Sequence, residues 1–437
     1  MRIKLCNIEF NEANCELIEN YLREHSETKW PNIRKMFSLN KIETSSEEKY
    51  ELLEPWIQWA SVHTGKTASE HAVFRLGDIN NCSAKQFFEI LEEQNLSVGC
   101  ISAMNAENRL AEPAYFIPDP WTVTQTDGSF FSEKIYTALH QSVNDNSSGK
   151  LTKSTIFYLL LALLFKSRMR NWLLYIKLAL KALKKQKWNK ALFLDLFISD
   201  LHIKNHKNKK PDFTSVFFNA FAHIQHHYYF NSKFYDGPIS NPVWYIPEGT
   251  DPFLDALEVY DRIIGDHLGH FKNSEIIIST GLRQVPYTQR KFYYRLCDHT
   301  SFLSKLNLPQ FTVYPRMTRD FLMEFSTEAC CEKAKNILEM VKINEALVFG
   351  EIDNRGKSLF VTLTYPDMIK PNDVISTGTG GSLNPTEEFV FVAVKNGMHD
   401  SIGYSFTTSD SGEFKNLNGQ HVKNLFGYIL GRFGVAQ

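Results

Sequence analysis

Between Phe213 and Phe230 an apolar run centred on Val216–Phe218 breaks into His223, His226 and His227, followed by two tyrosines. A run this short and this apolar reads as a strand covered on both faces, which asks for helices on both sides of a sheet. Glu275–Ser279 (EIIIS) has the same character. In such folds ligands bind beyond the carboxyl ends of the strands, so a strand that runs into clustered imidazoles delivers them to where sites are built. If the histidines open a helix, positions i, i+3 and i+4 share one face. That spacing suits one metal ion or one anionic group. The plainer alternative is that one histidine caps or packs and the others lie on the surface.

The rest of the chain fits an alternation of strands and helices. Arg2–Glu9 reads as strand and Ala13–Arg23 as helix. Ser97–Met104, Ala346–Ile352, Leu359–Thr364 and Phe389–Val394 read as strands, and Gln420–Arg432 as a closing helix. Pro252–Leu268 has helical spacing, with Asp251 as its N-cap. The expected fold is α/β: a mostly parallel central sheet between helical layers, in a single large domain spanning 1–437. An apolar fraction of 43% is ample for its core.

The segment 150–210 stands apart as a basic helical insertion or cap. Its apolar run Ile156–Phe165 is about half of what a membrane-crossing helix needs. Lys166, Arg168 and Arg170 then interrupt it. Further on, Lys177, Lys181, Lys184, Lys185, Lys187 and Lys190 interleave with leucines, Trp172, Tyr175 and Trp188. The stretch Lys177–Lys190 is either the solvated face of a cap or a peripheral contact with an anionic membrane. A net charge of -1 gives no support for nucleic-acid binding. The N-terminus reads as a strand and not a signal peptide, and the seven cysteines include no CxxC pair. Reduced thiols, a cytoplasmic location and no cysteine-based zinc site are the expectation. The glycine-rich loop Thr377–Ser382 lacks the strand and helix context of a dinucleotide fingerprint.

Several short segments, in order, carry a further pattern. Pro55–Gly65 (PWIQWASVHTG) is followed by a short segment ending at His71. The first strand ends in Glu9, Ala222–His226 follows a strand, Thr280–Gly281–Leu282 follows another, and Gly397–Met398–His399 comes late. This series resembles the alkaline phosphatase superfamily, sulfatases and nucleotide pyrophosphatases included. The resemblance implies an alkaline-phosphatase-like fold and metal-assisted chemistry on phosphate or sulfate esters. Departures from the pattern are specific. Pro55 occupies the nucleophile position, and proline has no group that can attack. Ala222 replaces a metal-binding aspartate, and Thr280 and Gly281 replace an Asp-His pair. Glu9, His226 and His399 remain, too few for two ions but suited to one divalent ion such as zinc. A register shift of a few residues would make Ser61 or Thr64 the nucleophile, with His63 or a metal activating it; otherwise these hydroxyls brace a turn before a helix.

Other residues complete the expected site. Glu9 is alternatively a charge placed at a helix N-terminus. Trp56, Gln58 and Trp59 could frame a sugar or base, with one tryptophan in the core. Gln284 follows a strand end, and Asp119 sits in a rigid proline-flanked loop that reads as structural. Arg316 and Arg319, three apart, could fork an anion from one helical face. His223 or His227 would act as general acid or base. The expected function is a metal-dependent phosphate- or sulfate-ester hydrolase or transferase. Its substrate would be a phosphorylated glycan, nucleotide-sugar or lipid-linked sugar, attacked directly by water or an acceptor hydroxyl. The rival expectation is a non-catalytic anion-binding protein that kept the fold, and a third is a metal-independent glycan transferase.

Overall fold

The computed structural model describes residues 3–144, 152–316, 319–378 and 380–435. Its centre is a seven-stranded sheet. The strands are β1 (Leu5–Phe10), β2 (Asn40–Thr44), β3 (Val98–Ile101), β4 (Tyr115–Ile117), β5 (Phe213–Phe218), β6 (Glu275–Ser279) and Gly403–Thr407. Spatially they run β2, Gly403–Thr407, β6, β1, β5, β3, β4. β6, β1, β5, β3 and β4 pair in parallel, and Gly403–Thr407 is antiparallel to both of its neighbours.

Every residue of β1 and β5 is buried, which explains their unbroken apolar character. Alternation along the strands divides the core in two. Ile8, Phe10, Val216 and Phe218 face helices Cys15–Glu24, Asn189–Lys209 and Pro252–His270. Leu5, Phe213, Phe217 and Ile277 face helices Pro55–Thr64, Phe87–Glu93 and Leu425–Arg432. Asp251 caps its helix as expected, its carboxylate accepting from the Phe253 N–H at 2.9 Å.

A long strand β7 (Arg283–Leu296) pairs antiparallel with Phe389–Asp400, and this ribbon leaves the central sheet. It leads to a second hydrophobic core that includes Phe302, Phe321, Met323, Leu338, Leu359 and Val361. That core lies between helix Glu328–Leu338 and an antiparallel sheet ordered Glu351–Asn354, Ser358–Thr362, Asp320–Phe325, Phe311–Pro315.

Segment 150–210 is helical in its described part, as Lys153–Lys166, Trp172–Leu183 and Asn189–Lys209. Several boundaries differ from the sequence expectation, three of them by the most. Ala346–Ile352 divides into Ala346–Leu347 and Glu351–Asn354, which belong to different sheets. The strand beginning at Phe389 continues to Asp400 because β7 offers a partner along its whole length. The closing helix starts at Leu425, after a single 3₁₀ turn over Val422–Asn424. Among the described residues no helix is long and apolar enough to cross a membrane.

Candidate metal centre

Beyond Phe10 the chain stays against the carboxyl edge of the sheet. The Asn11 N–H donates to the Phe218 carbonyl at the end of β5, and the Glu12 N–H to the Thr280 carbonyl just past β6, each at 3.0 Å. Glu12 adopts the left-handed conformation, φ 57°, which is strained for a residue with a side chain. The Gln225 amide holds this turn by donating to the Glu12 carbonyl at 2.8 Å. The Glu12 carboxylate, 1% exposed, is thereby aimed along the sheet edge.

Two imidazoles converge on it. His226 Nε2 lies 3.0 Å and His399 Nε2 3.3 Å from Glu12 Oε2. One ligand atom from each of Glu12, His226 and His399 falls within 4.8 Å of the others. Asn11 donates to Glu12 Oε1 at 2.9 Å, and the Gln284 amide donates to Oε2. On its far side His399 places Nδ1 3.5 Å from Glu54 Oε2.

Each donor is positioned by a distinct element. His226 rides on helix Ala220–Tyr228, whose first turn is held by Asp195. The Asp195 carboxylate accepts from the Ala220 N–H at 2.8 Å and the Tyr260 hydroxyl at 2.7 Å. His399 comes from the ribbon strand just after a register shift between Lys395 and Gly397. Such bulges re-aim side chains at functional edges. Gly397 permits the approach: a Cβ there would lie 2.0 Å from Gln284 Oε1 and 2.9 Å from the Gln225 carbonyl.

The electrostatics follow from this packing. Burial alone would raise the Glu12 carboxyl, but the two imidazoles outweigh it and hold the group well below the ordinary carboxylate range. Burial works against a charged His399, yet Glu12 and Glu54 raise it overall. Glu54 is itself raised by burial despite His399. A cationic group adjoins these residues. Lys395 is pushed down to about 8 by burial and by Lys291 and Arg319. Its ammonium lies 4.2 Å from the centre of the Tyr287 ring, and the Arg319 guanidinium 3.9 Å from that of Tyr293.

The structure brings His226, His399 and Gln284 together as the sequence suggested, but around Glu12. Glu9 is the correction. It pairs with Phe217 and Ser279 inside the sheet, before the carboxyl edge. Its Oε1 lies 3.0 Å from His63 Nε2 and accepts from Asn7 at 2.9 Å, in a fully buried pair on the other side of the sheet. His223 and His227 set their rings 4.6 Å apart, whereas the His226 ring lies 6.3 Å from that of His227 and 5.2 Å from that of His399. Burial and the neighbouring His226 hold His223 down to about 4, and burial with His223 lowers His227 further still. Both are neutral near pH 7 and, with their pKa lowered, are weak bases.

The proposed hydroxyl nucleophiles point elsewhere. Ser61 is fully buried against His71 Nε2 at 3.0 Å, and Thr64 donates to the Ala60 carbonyl one helical turn back at 2.7 Å. Gln58 is buried and donates to the Leu52 carbonyl at 2.8 Å. Half-buried Trp56 donates to the Phe74 carbonyl at 2.9 Å, whereas Trp59 is a core residue. Asp119 is a loop brace, accepting from the Asn105, Trp121 and Thr122 N–H groups. Arg316 and Arg319 do not share a helical face, because each adjoins one of the antiparallel strands Phe311–Pro315 and Asp320–Phe325. Arg319 joins Lys395 and Lys291, whereas Arg316 is exposed. The sequence placed Asn11 and Glu12 with Glu9 on the ligand-binding edge but gave the role to Glu9, and Glu54, Lys291 and Lys395 were missed. Glu12 had a signal, since Asn11 and Glu12 follow the first strand directly. The ribbon lysines had none, because no local pattern shows which strand face meets the sheet edge.

The donor set fits a divalent ion such as zinc. Two imidazole nitrogens and a carboxylate are common ligands, and a ligating histidine usually has its second nitrogen on a carboxylate, as His399 has with Glu54. His399 Nε2 is buried and makes no well-directed hydrogen bond, despite its closeness to Glu12.

No protein-family model matches the chain, and no curated protein matches it. Solved structures do. One is phosphonoacetate hydrolase from Sinorhizobium meliloti in complex with phosphonoformate, at 10% identity and TM-score 0.45, covering 99% of this chain and 96% of that one. Another is human ectonucleotide pyrophosphatase/phosphodiesterase 5, at 8% identity and TM-score 0.44, covering 99% and 95%. Alkaline phosphatase from the Antarctic bacterium TAB5 matches at 11% identity and TM-score 0.41, covering 99% and 98%. At these scores the likeness carries no functional argument, and function has to follow from the residues themselves.

Proposed function

We propose that this chain is a metal-dependent hydrolase or transferase of phosphate-type esters with one divalent ion, its substrate an anionic glycan, nucleotide-sugar or lipid-linked sugar. The observation that carries the reading is the convergence of Glu12, His226 and His399 at the carboxyl edge of the parallel sheet. These three residues would hold the ion, which when bound would act as a Lewis acid on a phosphoryl oxygen. Asn11 and Gln284 orient the Glu12 carboxylate, and Glu54 fixes the ring of His399. Lys395, Lys291 and Arg319 supply positive charge beside the centre, suited to seating an anionic group.

Pro55 is the first residue of helix Pro55–Thr64 and offers no nucleophile, and Ser61 and Thr64 are engaged within that helix's surroundings. Direct attack by water or an acceptor hydroxyl is therefore favoured over a covalent enzyme intermediate.

The test is elemental analysis of the purified protein beside assays on chromogenic phosphomono- and diesters with zinc, manganese or magnesium. The expected result is about one tightly held divalent ion per chain, lost with activity in His226→Ala, and no pre-steady-state burst. Absence of metal under all these conditions would refute it. The small number of ligands and the lack of a nucleophile at Pro55 favour a second reading, a binding protein with the same anion seat; metal-free phosphate or pyrophosphate binding without turnover is its signature.

A further inference from the structure

Helices Lys153–Lys166 and Trp172–Leu183 both pack on Asn189–Lys209. Their inward residues are few: Ala162 on the first, Tyr175 and Leu178 on the second. Their outward faces are apolar at helical spacing, which is the reverse of a solvated surface helix. On the first helix Ile156, Leu160 and Leu164 are exposed, together with Phe157 and Phe165. On the second the exposed positions are Leu173, Ile176, Leu180 and Leu183, with Leu173 83% and Leu183 81% exposed. Met169, between the helices, is 90% exposed. Exposed large side chains in this density on one pair of helices mark an interaction surface.

Charge narrows the choice of occupant. Residues 152–190 contain ten lysines and arginines and no aspartate or glutamate. Part of this charge is turned inward and neutralised: Lys177 pairs with Glu258, Lys181 with Asp255, and Arg168 and Arg170 with Asp266. Lys184, Lys185 and Lys187 follow Leu183 directly and have no carboxylate partner among the described residues. A second copy of this chain would set like charges against one another across the face. An anionic bilayer offers an apolar interior to the leucines and phenylalanines and negative headgroups to the lysines. Neither helix is long enough to span, so the pair would lie in the interface plane.

We infer that the face formed by Lys153–Lys166 and Trp172–Leu183 docks the protein on membranes containing anionic phospholipid. This does not depend on the catalytic reading of the Glu12 centre.

Flotation of the intact protein with vesicles of phosphatidylcholine, with and without phosphatidylserine, tests it. The wild-type chain should float with the mixed vesicles and much less with phosphatidylcholine alone. Leu173→Glu/Leu183→Glu should weaken binding at least about tenfold, since both side chains leave the acyl boundary. Lys184→Gln/Lys185→Gln/Lys187→Gln should weaken it on the order of tenfold to a hundredfold at low salt, and should reduce its salt dependence. All substituted positions project outward, and circular dichroism checks that the variants fold. Absence of wild-type binding to either vesicle, or binding unchanged in the leucine variant, would overturn the inference. So would a stable wild-type dimer, by light scattering, that the leucine variant converts to monomer without any lipid binding, because the face would then belong to a second copy.

Discussion

Replacing Glu12 with alanine is the sharpest probe of the buried centre, and its consequence depends on pH in a calculable direction. The substitution takes one acceptor from each of the amides of Asn11 and Gln284, leaving Asn219 and the Ala222 carbonyl, and removes the counter-charge of His399, which is 13% exposed. Breaking a buried pair by removing one partner costs about 3–5 kcal/mol. The lower end applies here, because His226 is 31% exposed and can be rehydrated. The sign follows from linkage. Glu12 is depressed in the folded state, so its contribution is present above the ordinary carboxylate range and is lost as pH falls through its folded value. His399 is raised, so its contribution is complete below the ordinary imidazole value and is lost as pH rises through its folded value. Both contributions coexist between about pH 5 and pH 6. Urea unfolding with a chelator present should show Glu12→Ala destabilised by about 3 kcal/mol at pH 5.5 and by distinctly less at pH 9. The difference amounts to about 1.4 kcal/mol for each unit by which the imidazole is raised. A loss under about 1 kcal/mol at pH 5.5, or the same loss at both pH values, would refute the coupling of these residues.

Two other substitutions address neighbouring features. Burial raises Asp195 to about 6, above its unfolded value near 3.9, so its contribution is fully present below about pH 4 and is lost as pH rises through 6. Subtracting the Asp195→Asn profile from wild type between pH 4 and 7 should isolate a stability loss of up to about 3 kcal/mol; a flat difference would mean the carboxylate is better solvated than its surroundings imply. Lys395→Met should weaken binding of inorganic pyrophosphate by about tenfold near pH 7 in calorimetric titrations. Wild-type affinity should fall as pH rises past about 8, where Lys395 loses its proton; unchanged binding would place the anion seat elsewhere.

The strand cores were legible because burial on both faces leaves short, unbroken apolar runs bounded by polar residues. Val216–Phe218 and Glu275–Ser279 are such cores, and they fixed where the carboxyl edge of the sheet lies. His226 and His399 were found through that edge and through the ordered resemblance. Arg316 and Arg319 were misplaced because a three-residue spacing does not by itself separate one helical face from the ends of two successive paired strands. The side chains that complete the site come from β7 and Phe389–Asp400, whose meeting with the sheet edge is long-range and leaves no local pattern. The exposed leucines of 150–210 were legible as an amphipathic stretch, but which face turns outward depends on where Asn189–Lys209 lies.

The exchange of Glu9 for Glu12 has a physical cause. Strand alternation sends Asn7 and Glu9 toward His63 and Ser215, while the carboxyl edge begins only after Phe10. A carboxylate can reach the imidazoles only if the chain turns back at that edge, and the left-handed conformation of Glu12 makes this turn. The bond from the Glu12 N–H to the Thr280 carbonyl and the bond from Gln225 to the Glu12 carbonyl offset the strain from both sides. The two register shifts of the ribbon work on the opposite wall, one on either side of Val394 and Lys395, so that His399 and Lys395 approach the same edge from one strand. The Glu12 carboxylate, the His399 imidazole and the Lys395 ammonium therefore depend on backbone irregularities that regular sheet geometry would remove, and this is the pattern expected where local structure is bent to serve a site.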